Sequence, residues 1–438
     1  MAGIDDRQLA QRAGWSGGIA NIPPETALPS DENGKPTAVR VAQNVDLLAG
    51  GGVARRAGRT KVWDGEASSL WRDGFLPFAL VVADHKLRAF YGPDQIVDLV
   101  DVARRECSYA LVDDRVYWTD GVRNGVVTVD ADVLPWGCPC PPGQPMLTPA
   151  PNGGLAAGRY QVATTYLLAS GEESGTGQAA VVTVAEGGGI GLSAIPNPPA
   201  GVAAVRVYVS GADGDVLYHA VDLTPGVPSA LLVHGIRRKP LDTQFLEPMP
   251  AGHTVRWLNG RLYVATASGA MVWSEALRYG LTNRRKNSIA FNAIRLMEPV
   301  AAGSEGAGLF VADAARTYWL GGGDPAQFRR RIVYGASAVP GTAVRVPATA
   351  LGLETTGEAL YWLAADGVGM VGLPGGQVMP LRAGQVVAPH ATRGTSYWRE
   401  QDGRRQVVTT LQGAGAGKRG LAFGDRMVTT IERHDGTN

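Results

Sequence analysis

Six histidines, three cysteines and a scatter of paired carboxylates are the residues in this chain best suited to chemistry. His85, His219, His234, His253, His390 and His434 stand apart, and none lies four residues from another or within a His-Glu-x-x-His phrase. A helix-borne zinc site needs its ligands one turn apart, so the sequence does not support that chemistry. Cys138-Pro139-Cys140 leaves a single residue between two thiols, where zinc knuckles set two or more, and it reads as a turn with two small side chains. The carboxylate pairs are Asp113-Asp114, Glu172-Glu173 and Asp213-Gly214-Asp215. Two carboxyls at a suitable separation can cleave a glycosidic bond as acid and base. Here each pair sits in a polar break between apolar runs, where acids commonly serve turns. Gly187-Gly188-Gly189 and Gly321-Gly322-Gly323-Asp324 lack the following Lys-Ser/Thr helix of a phosphate cradle and read as turns as well. No catalytic, cofactor or metal residue is assigned.

Cationic chemistry is concentrated in three runs: Arg55, Arg56 and Arg59; Arg284, Arg285 and Lys286; and Arg329, Arg330 and Arg331. Such runs can hold DNA phosphates or pair with acids across a subunit boundary. The formal net charge is +1, so no global field draws the chain to nucleic acid or an anionic membrane. Contacts between subunits are therefore the reading adopted for these nine residues.

The elements that must carry these residues are strands. VRWLNGRLYVA at 255–265 alternates apolar and polar residues at period two around a turn, as a hairpin does. The same unit recurs as LVDDRVYWTDG at 111–121, GLFVADAARTYWLGGGDP at 308–325, ALYWLAADGVGMVGL at 359–373 and TSYWREQDGRRQVVTTL at 395–411. Residues 78–100 read in the same way. The 59 glycines and 28 prolines suit many short strands joined by tight turns, and 45% hydrophobic residues can build a sizeable core. A small antiparallel sheet repeated along a chain is the sequence signature of a β-propeller, here with about six blades.

One stretch interrupts the repeat. Residues 141–243 contain no Trp and are rich in Ala, Val, Thr and Gly; Asp213-Gly214 marks a hairpin within 205–223. About seven strands fit there, as in a β-sandwich, and the phrases resemble fibronectin type III or immunoglobulin-like modules without the Cys…Trp…Cys of an antibody domain. Tyr318 and Tyr361 lie 43 residues apart, and removing 141–243 brings the interval from Tyr117 to Tyr263 to the same 43. The sandwich is thus expected to project from a loop between two blades. Residues 288–297 read as one alternating strand, and a last strand near 421–431 is expected to pair with the N-terminal segment.

Three cysteines are too few for a disulfide framework and point to a reducing compartment. The opening MAGIDDRQLAQRAGW has no basic stretch before an apolar run, as a signal peptide would, and no apolar run is long enough to span a bilayer.

The first 65 residues carry a recognisable order: Gly17-Gly18-Ile19, Pro23-Pro24, Ala42-Gln43-Asn44-Val45, Gly50 to Gly52, and Arg55-Arg56-Ala57-Gly58. Further on, Val272-Trp273-Ser274-Glu275 precedes Thr317-Tyr318-Trp319-Leu320 and Gly323-Asp324-Pro325. In both places, the first 65 residues and about 255–345, the chain resembles tail nozzle and tail hub proteins of bacteriophages. The resemblance implies a virion structural protein of the tail, not an enzyme, without cofactor or membrane segment. It implies a ring of copies, expected as a hexamer, in contact with adaptor, fibre or tail-tip proteins. Viral DNA would pass through that ring, and assembly would take place in the host bacterial cytoplasm. Rival readings are a tail-tip or baseplate component of a long-tailed phage and, in another class, a propeller lectin or glycan-active enzyme. The expected division is an arm and hairpin at 1–62, propeller at 63–140, sandwich at 141–243, propeller at 244–425 and a tail at 426–438.

Overall fold

The computed structural model describes residues 15–432 apart from 24–26, 41–44, 48–51, 56–65, 235–238, 302–305, 352–356, 382–383, 402–403 and 414–425. The chain is all-β and forms two compact units, Met1–Asp64 with Phe291–Asn438, and Gly65–Ala290.

The N-terminal segment contains the expected hairpin over its described residues, and a parallel pair ahead of it. β1 (Gly18–Ile19) and β2 (Ala38–Val39) pair in parallel, while β3 (Val45–Leu47) pairs antiparallel with β4 (Val53–Arg55). Residues 38–47, whose alternation reads as a single strand, thus contribute to two sheets, with 41–44 outside the described residues. A parallel pair needs a connection that carries the chain back to its start. Asp31 turns it, its Oδ1 accepting the amides of Asn33 (3.0 Å) and Lys35 (2.8 Å).

In the second unit, β5 (Ala67–Trp71), β6 (Ala79–Ala83), β7 (Lys86–Gly92) and β8 (Gln95–Asp101) make an antiparallel meander, sheet A. Sheet B repeats it with β9 (Ser108–Val112), β10 (Arg115–Thr119), β11 (Asn124–Thr128) and β12 (Val133–Leu134). The two sheets share one core, in which Leu80, Val82, Leu87 and Ala89 meet Tyr109, Val116, Trp118 and Val127.

Seven strands follow within 141–243. β13 (Met146–Leu155), β14 (Gly158–Leu168), β15 (Ala180–Val184), β16 (Gly188–Ser193), β17 (Val202–Ser210), β18 (Leu217–Leu223) and β19 (Ser229–Leu232) form two sheets, ordered β13-β16-β19 and β15-β14-β17-β18. Period-two alternation turns Tyr160, Val162, Val207 and Val209 of one sheet toward Leu155, Ile190, Leu192 and Leu232 of the other, and they bury a common core. Asp213-Gly214 lies in the β17–β18 turn.

Sheet C then resumes the meander. β20 (Glu247–Pro248) leads to β21 (Thr254–Leu258), β22 (Arg261–Ala265) and β23 (Ala270–Trp273); β24 (Leu281–Thr282) pairs with β20, and β25 (Ser288–Ala290) completes the sheet. Asn259 and Gly260 both have positive φ (48° and 72°), the conformation whose twist suits a two-residue hairpin. Sheet C packs on sheet B although the seven strands lie between them in the chain: Ala110, Val112, Tyr117 and Val126 meet Val255, Leu262 and Val264.

The first unit holds three more sheets. Sheet D is β26 (Leu296–Val300), β27 (Gly308–Ala312), β28 (Thr317–Gly321) and β29 (Arg329–Tyr334). Sheet E is β30 (Val344–Pro347), β31 (Glu358–Leu363), β32 (Gly369–Gly372) and β33 (Val378–Pro380), and sheet F is β34 (Arg393–Gln401), β35 (Arg404–Gln412) and β36 (Arg426–Glu432). D packs on E through Phe310, whose ring lies 4.7 Å from Trp319 and 5.4 Å from Trp362. E packs on F through Val346, Tyr361, Val371 and Val407.

Two further expectations change. Residues 288–297 are not one strand, because β25 closes sheet C and β26 opens sheet D, with Asn292 tied by the Ala314 amide at 2.8 Å. The stretch expected as a C-terminal tail from 426 contains β36, and β36 pairs with β35 rather than with the N-terminal segment. Seven consecutive residue pairs join those two strands, from Gln406↔Glu432 to Gln412↔Arg426, so the near edge of sheet F is the partner it finds.

Candidate interaction site

The basic runs occupy different places. Arg55 ends β4, but its side chain, with Arg56 and Arg59, lies outside the described residues. Arg284, Arg285 and Lys286 are exposed on the loop into β25 in the second unit; Arg284 Nε sits 3.4 Å from Glu247 Oε2, a pair half open to solvent and worth little on its own. Arg329, Arg330 and Arg331 are exposed on β29, the outermost strand of sheet D, in the first unit. Strand alternation sends Arg329 and Arg331 to one face and Arg330 to the other. The Arg330 guanidinium lies 5.1 Å from the centre of the Phe291 ring, and Arg331 Nη2 donates to Gly375 O at 2.6 Å. The loop run and the strand run thus belong to separate units.

A second cluster, which the sequence reading missed, lies on β14, β17 and β18. Glu173 is its anchor: Oε1 accepts from Thr165 Oγ1 and Tyr208 OH, both at 2.6 Å, and Oε2 accepts from Arg206 Nη1 at 3.0 Å. Arg206 also grips Asp222 with two donors, Nε at 2.9 Å and Nη2 at 3.2 Å, a bidentate fork. His219 Nε2 lies 2.9 Å from Asp222 Oδ1. The Arg206 bond holds the Asp222 carboxyl below its ordinary range, while burial, followed by the bond to Glu173, pushes the Tyr208 hydroxyl up. Every strong acceptor here already has its donors, so the cluster clamps three strands together. Its only sequence signal is the alternation of Arg206 and Tyr208; the cross-strand neighbours lie too far along the chain to announce themselves.

The other candidate groups resolve into structure. Glu172, next to Glu173, is a different case: its carboxylate packs against Gly280, and burial raises its pKa while Arg115 opposes the shift. Asp113 and Asp213 stand at turn positions with φ of 54° and 55°. Cys138 and Cys140 direct their thiols to the carbonyls of Tyr166 (3.6 Å) and Leu246 (3.4 Å), and burial pushes Cys138 up to about 12, so it stays a thiol. Gly14-Trp15-Ser16-Gly17-Gly18 has the spelling of a nucleophile elbow, but Ser16 lies in an exposed turn leading into β1 instead of between a strand and a helix. Among the described residues no three His, Cys, Asp or Glu side chains gather as a metal site, and no helix is long and apolar enough to cross a membrane.

No family model matches the chain, and no curated protein matches it. Among solved structures it is similar to BBS1N, crystallised in complex with ARL6DN: 10% identity over 82% of this chain and 88% of that one, TM-score 0.31. It is similar to BamB from Moraxella catarrhalis, with 11% identity over 83% and 84% of the two chains and a TM-score of 0.32. It is also similar to PorZ, a surface component of the type-IX secretion system of Porphyromonas gingivalis, with 11% identity over 88% and 57% and a TM-score of 0.20.

Proposed function

We propose that this chain is a structural protein of a bacteriophage tail, of the nozzle or hub kind. In this reading sheets A to F are the blades of a six-bladed β-propeller. The seven strands between B and C are an immunoglobulin-like sandwich, whose order β15-β14-β17-β18 facing β13-β16 matches the C′-C-F-G and B-E strands of that fold. The observation that carries the reading is the succession of meanders: A packs on B, B on C, D on E and E on F, with the sandwich inserted where the chain passes from B to C. The N-terminal phrases and those at about 255–345 supply the resemblance to tail proteins.

The role is mechanical. Stacked sheets resist deformation because sheets B and E are each buried between two neighbours, and the copies assemble into a ring, six in number, through which DNA leaves the particle. The basic runs serve contacts with neighbouring copies and with adaptor, fibre or tail-tip proteins. Mass spectrometry of virions purified from a lysate in which this gene is expressed, with antibody labelling by electron microscopy, tests the reading. The protein should be a stoichiometric virion component with label confined to the tail. Virions that lack it, or label on the capsid, would remove the proposal.

A further inference from the structure

Charge at the outer edges of sheets A to D is sorted by sign. The outer strand of sheet A and the turn before it carry Asp94, Asp98 and Asp101, with no Lys or Arg between residues 92 and 101. Sheet D presents the reverse: its outer strand β29 carries Arg329, Arg330 and Arg331 and no acid. Sheets B and C follow the same sorting, with Asp130 and Asp132 beside β12 and Arg284, Arg285 and Lys286 before β25. Among the described residues neither β8 nor β29 has a strand on its outer side. Each also exposes an aliphatic side chain, Val97 at 41% and Ile332 at 52%.

An exposed edge strand invites pairing with another chain, and charges commonly guard against it. A guard made of a single sign has a particular consequence. It repels a second copy of itself and attracts an edge of the opposite sign, whereas mixed signs would discourage both. From this we infer that β29 of one copy docks on β8 of a second copy, a head-to-tail contact. The inference rests on the charge of these strands and stands apart from the viral reading. Local pairing narrows the acidic side. Asp98 is already held by Lys86 Nζ and Arg88 Nε, both at 2.7 Å, and Lys86 also feels Asp101. Asp94 and Asp101 are therefore the acids turned to the partner. On the basic side Arg331 is bonded to Gly375 O, which leaves its charge in place and fixes its position.

The test uses the full chain in sedimentation velocity at low salt and at about 1 M salt, where the screening length falls to ~3 Å. Wild-type protein should associate at low salt and dissociate at high salt. Arg329→Glu with Arg331→Glu, and separately Asp94→Lys with Asp101→Lys, should each weaken association about tenfold or more. Mixing the two variants should restore association with the two alternating one-to-one, since the native β8 of the arginine variant meets the native β29 of the aspartate variant and the two reversed edges also carry opposite charges. Circular dichroism confirms folding; if either double variant unfolds, Arg329→Glu and Asp94→Lys alone replace them in the same mixing design. Wild type that stays monomeric at low salt, variants that associate as wild type does, or mixtures that fail to restore the contact would each overturn the inference. Self-association through these edges in a protein absent from virions would leave it standing and remove the viral reading alone.

Discussion

Thr119 and Gly252, 133 residues apart, are bound to each other where sheet B meets sheet C: the Gly252 amide donates to Thr119 Oγ1 at 2.9 Å, and that hydroxyl lies 2.7 Å from Gly252 O. Ser108 does similar work one strand away, its Oγ accepting the Val255 amide at 3.0 Å and Arg256 Nη1 at 2.8 Å. Buried hydroxyls thus satisfy backbone groups that the meander itself leaves unpaired. They hold together two sheets that the chain separates by seven strands.

Thr119→Val keeps the shape of the side chain and removes both roles of the hydroxyl. The buried Gly252 amide would then lack its partner, a loss of about 1–3 kcal/mol. Thr119→Ser should recover most of it. Urea unfolding of the two variants beside wild type measures the difference, and equal midpoints for Val and Ser would show that the hydroxyl contributes nothing.

Trp118 lies opposite Gly125 in the β10–β11 register. A Cβ at position 125 would stand 2.7 Å from the indole nitrogen and 2.9 Å from Cε2 and Cζ2. Trp362 and Phe310 make a comparable demand on Gly372. Gly125→Ala is therefore expected to destabilise by about 1–3 kcal/mol through overpacking. Gly92→Ala, where a Cβ would meet nothing within 4 Å, should stay within about 0.5 kcal/mol of wild type. Thermal unfolding of the pair decides whether the indole depends on the missing side chain.

How much of this could be read from the sequence depends on the kind of signal. Tyr117, Tyr263 and Tyr361 all sit in second strands, and for each the residues on either side turn to the opposite face, as period two dictates. Tyr318 and Tyr397 looked equivalent but belong to a third and a first strand, so part of the regular spacing compared unlike positions. Local alternation reveals a strand and leaves its rank in the sheet undetermined. The Glu173 cluster was invisible for a related reason: Thr165, Arg206 and Asp222 become neighbours only through the register of three strands. Basic runs are contiguous in sequence and stand out; the acids at 94, 98 and 101 are separated by uncharged residues, and only the sheet gathers them along one edge.

Asp222 gives a pH dependence of definite sign. Arg206 depresses its pKa, so the pair adds stability that is present above the unfolded carboxylate range near 3.9 and is lost as pH falls through the lower folded value. Asp222→Asn should lower Tm at pH 7, by roughly a degree or two given its partial exposure, with the gap closing below pH ~4. A gap that persists undiminished in acid would assign the loss to packing in place of charge.

Glu172 runs the other way. Burial raises its pKa, so its ionised form is disfavoured in the folded state, and stability falls as pH rises from the unfolded range through the folded value. Glu172→Gln is expected to raise Tm at pH 7 and to match wild type below pH ~4. Melting curves across that range check it; a Gln variant less stable than wild type at pH 7 would mean that Arg115 outweighs the burial.

The N-terminal segment is held by Asn21. Its Nδ2 donates to Val387 O at 2.8 Å, and its Oδ1 accepts the Val387 amide at 3.0 Å, while the Asn21 and Ile22 amides both reach Gln385 O. The apolar residues of this segment lead to the expectation that Ile19, Ile22, Val39, Val41 and Val45 order it by burying themselves; Val41 and the side chain of Val45 lie outside the described residues. Ile22 is 47% exposed, Ile19 and Val39 are half-buried, and the positions that do bury are Ala20 and Ala38. Small apolar contacts contribute little, since burial scales with area. The paired amide of Asn21 therefore carries much of the attachment, and two hydrogen bonds of about 0.5–1.5 kcal/mol each set its scale. Asn21→Ala should accelerate hydrogen exchange at the Val387 amide about tenfold or more, while the Val82 amide in sheet A keeps its wild-type rate. Asn21→Asp should fall between, because a carboxylate still accepts from Val387 but has no proton for its carbonyl. If Val387 exchanges at the wild-type rate in the alanine variant, the backbone bonds to Gln385 hold the segment without help from the side chain.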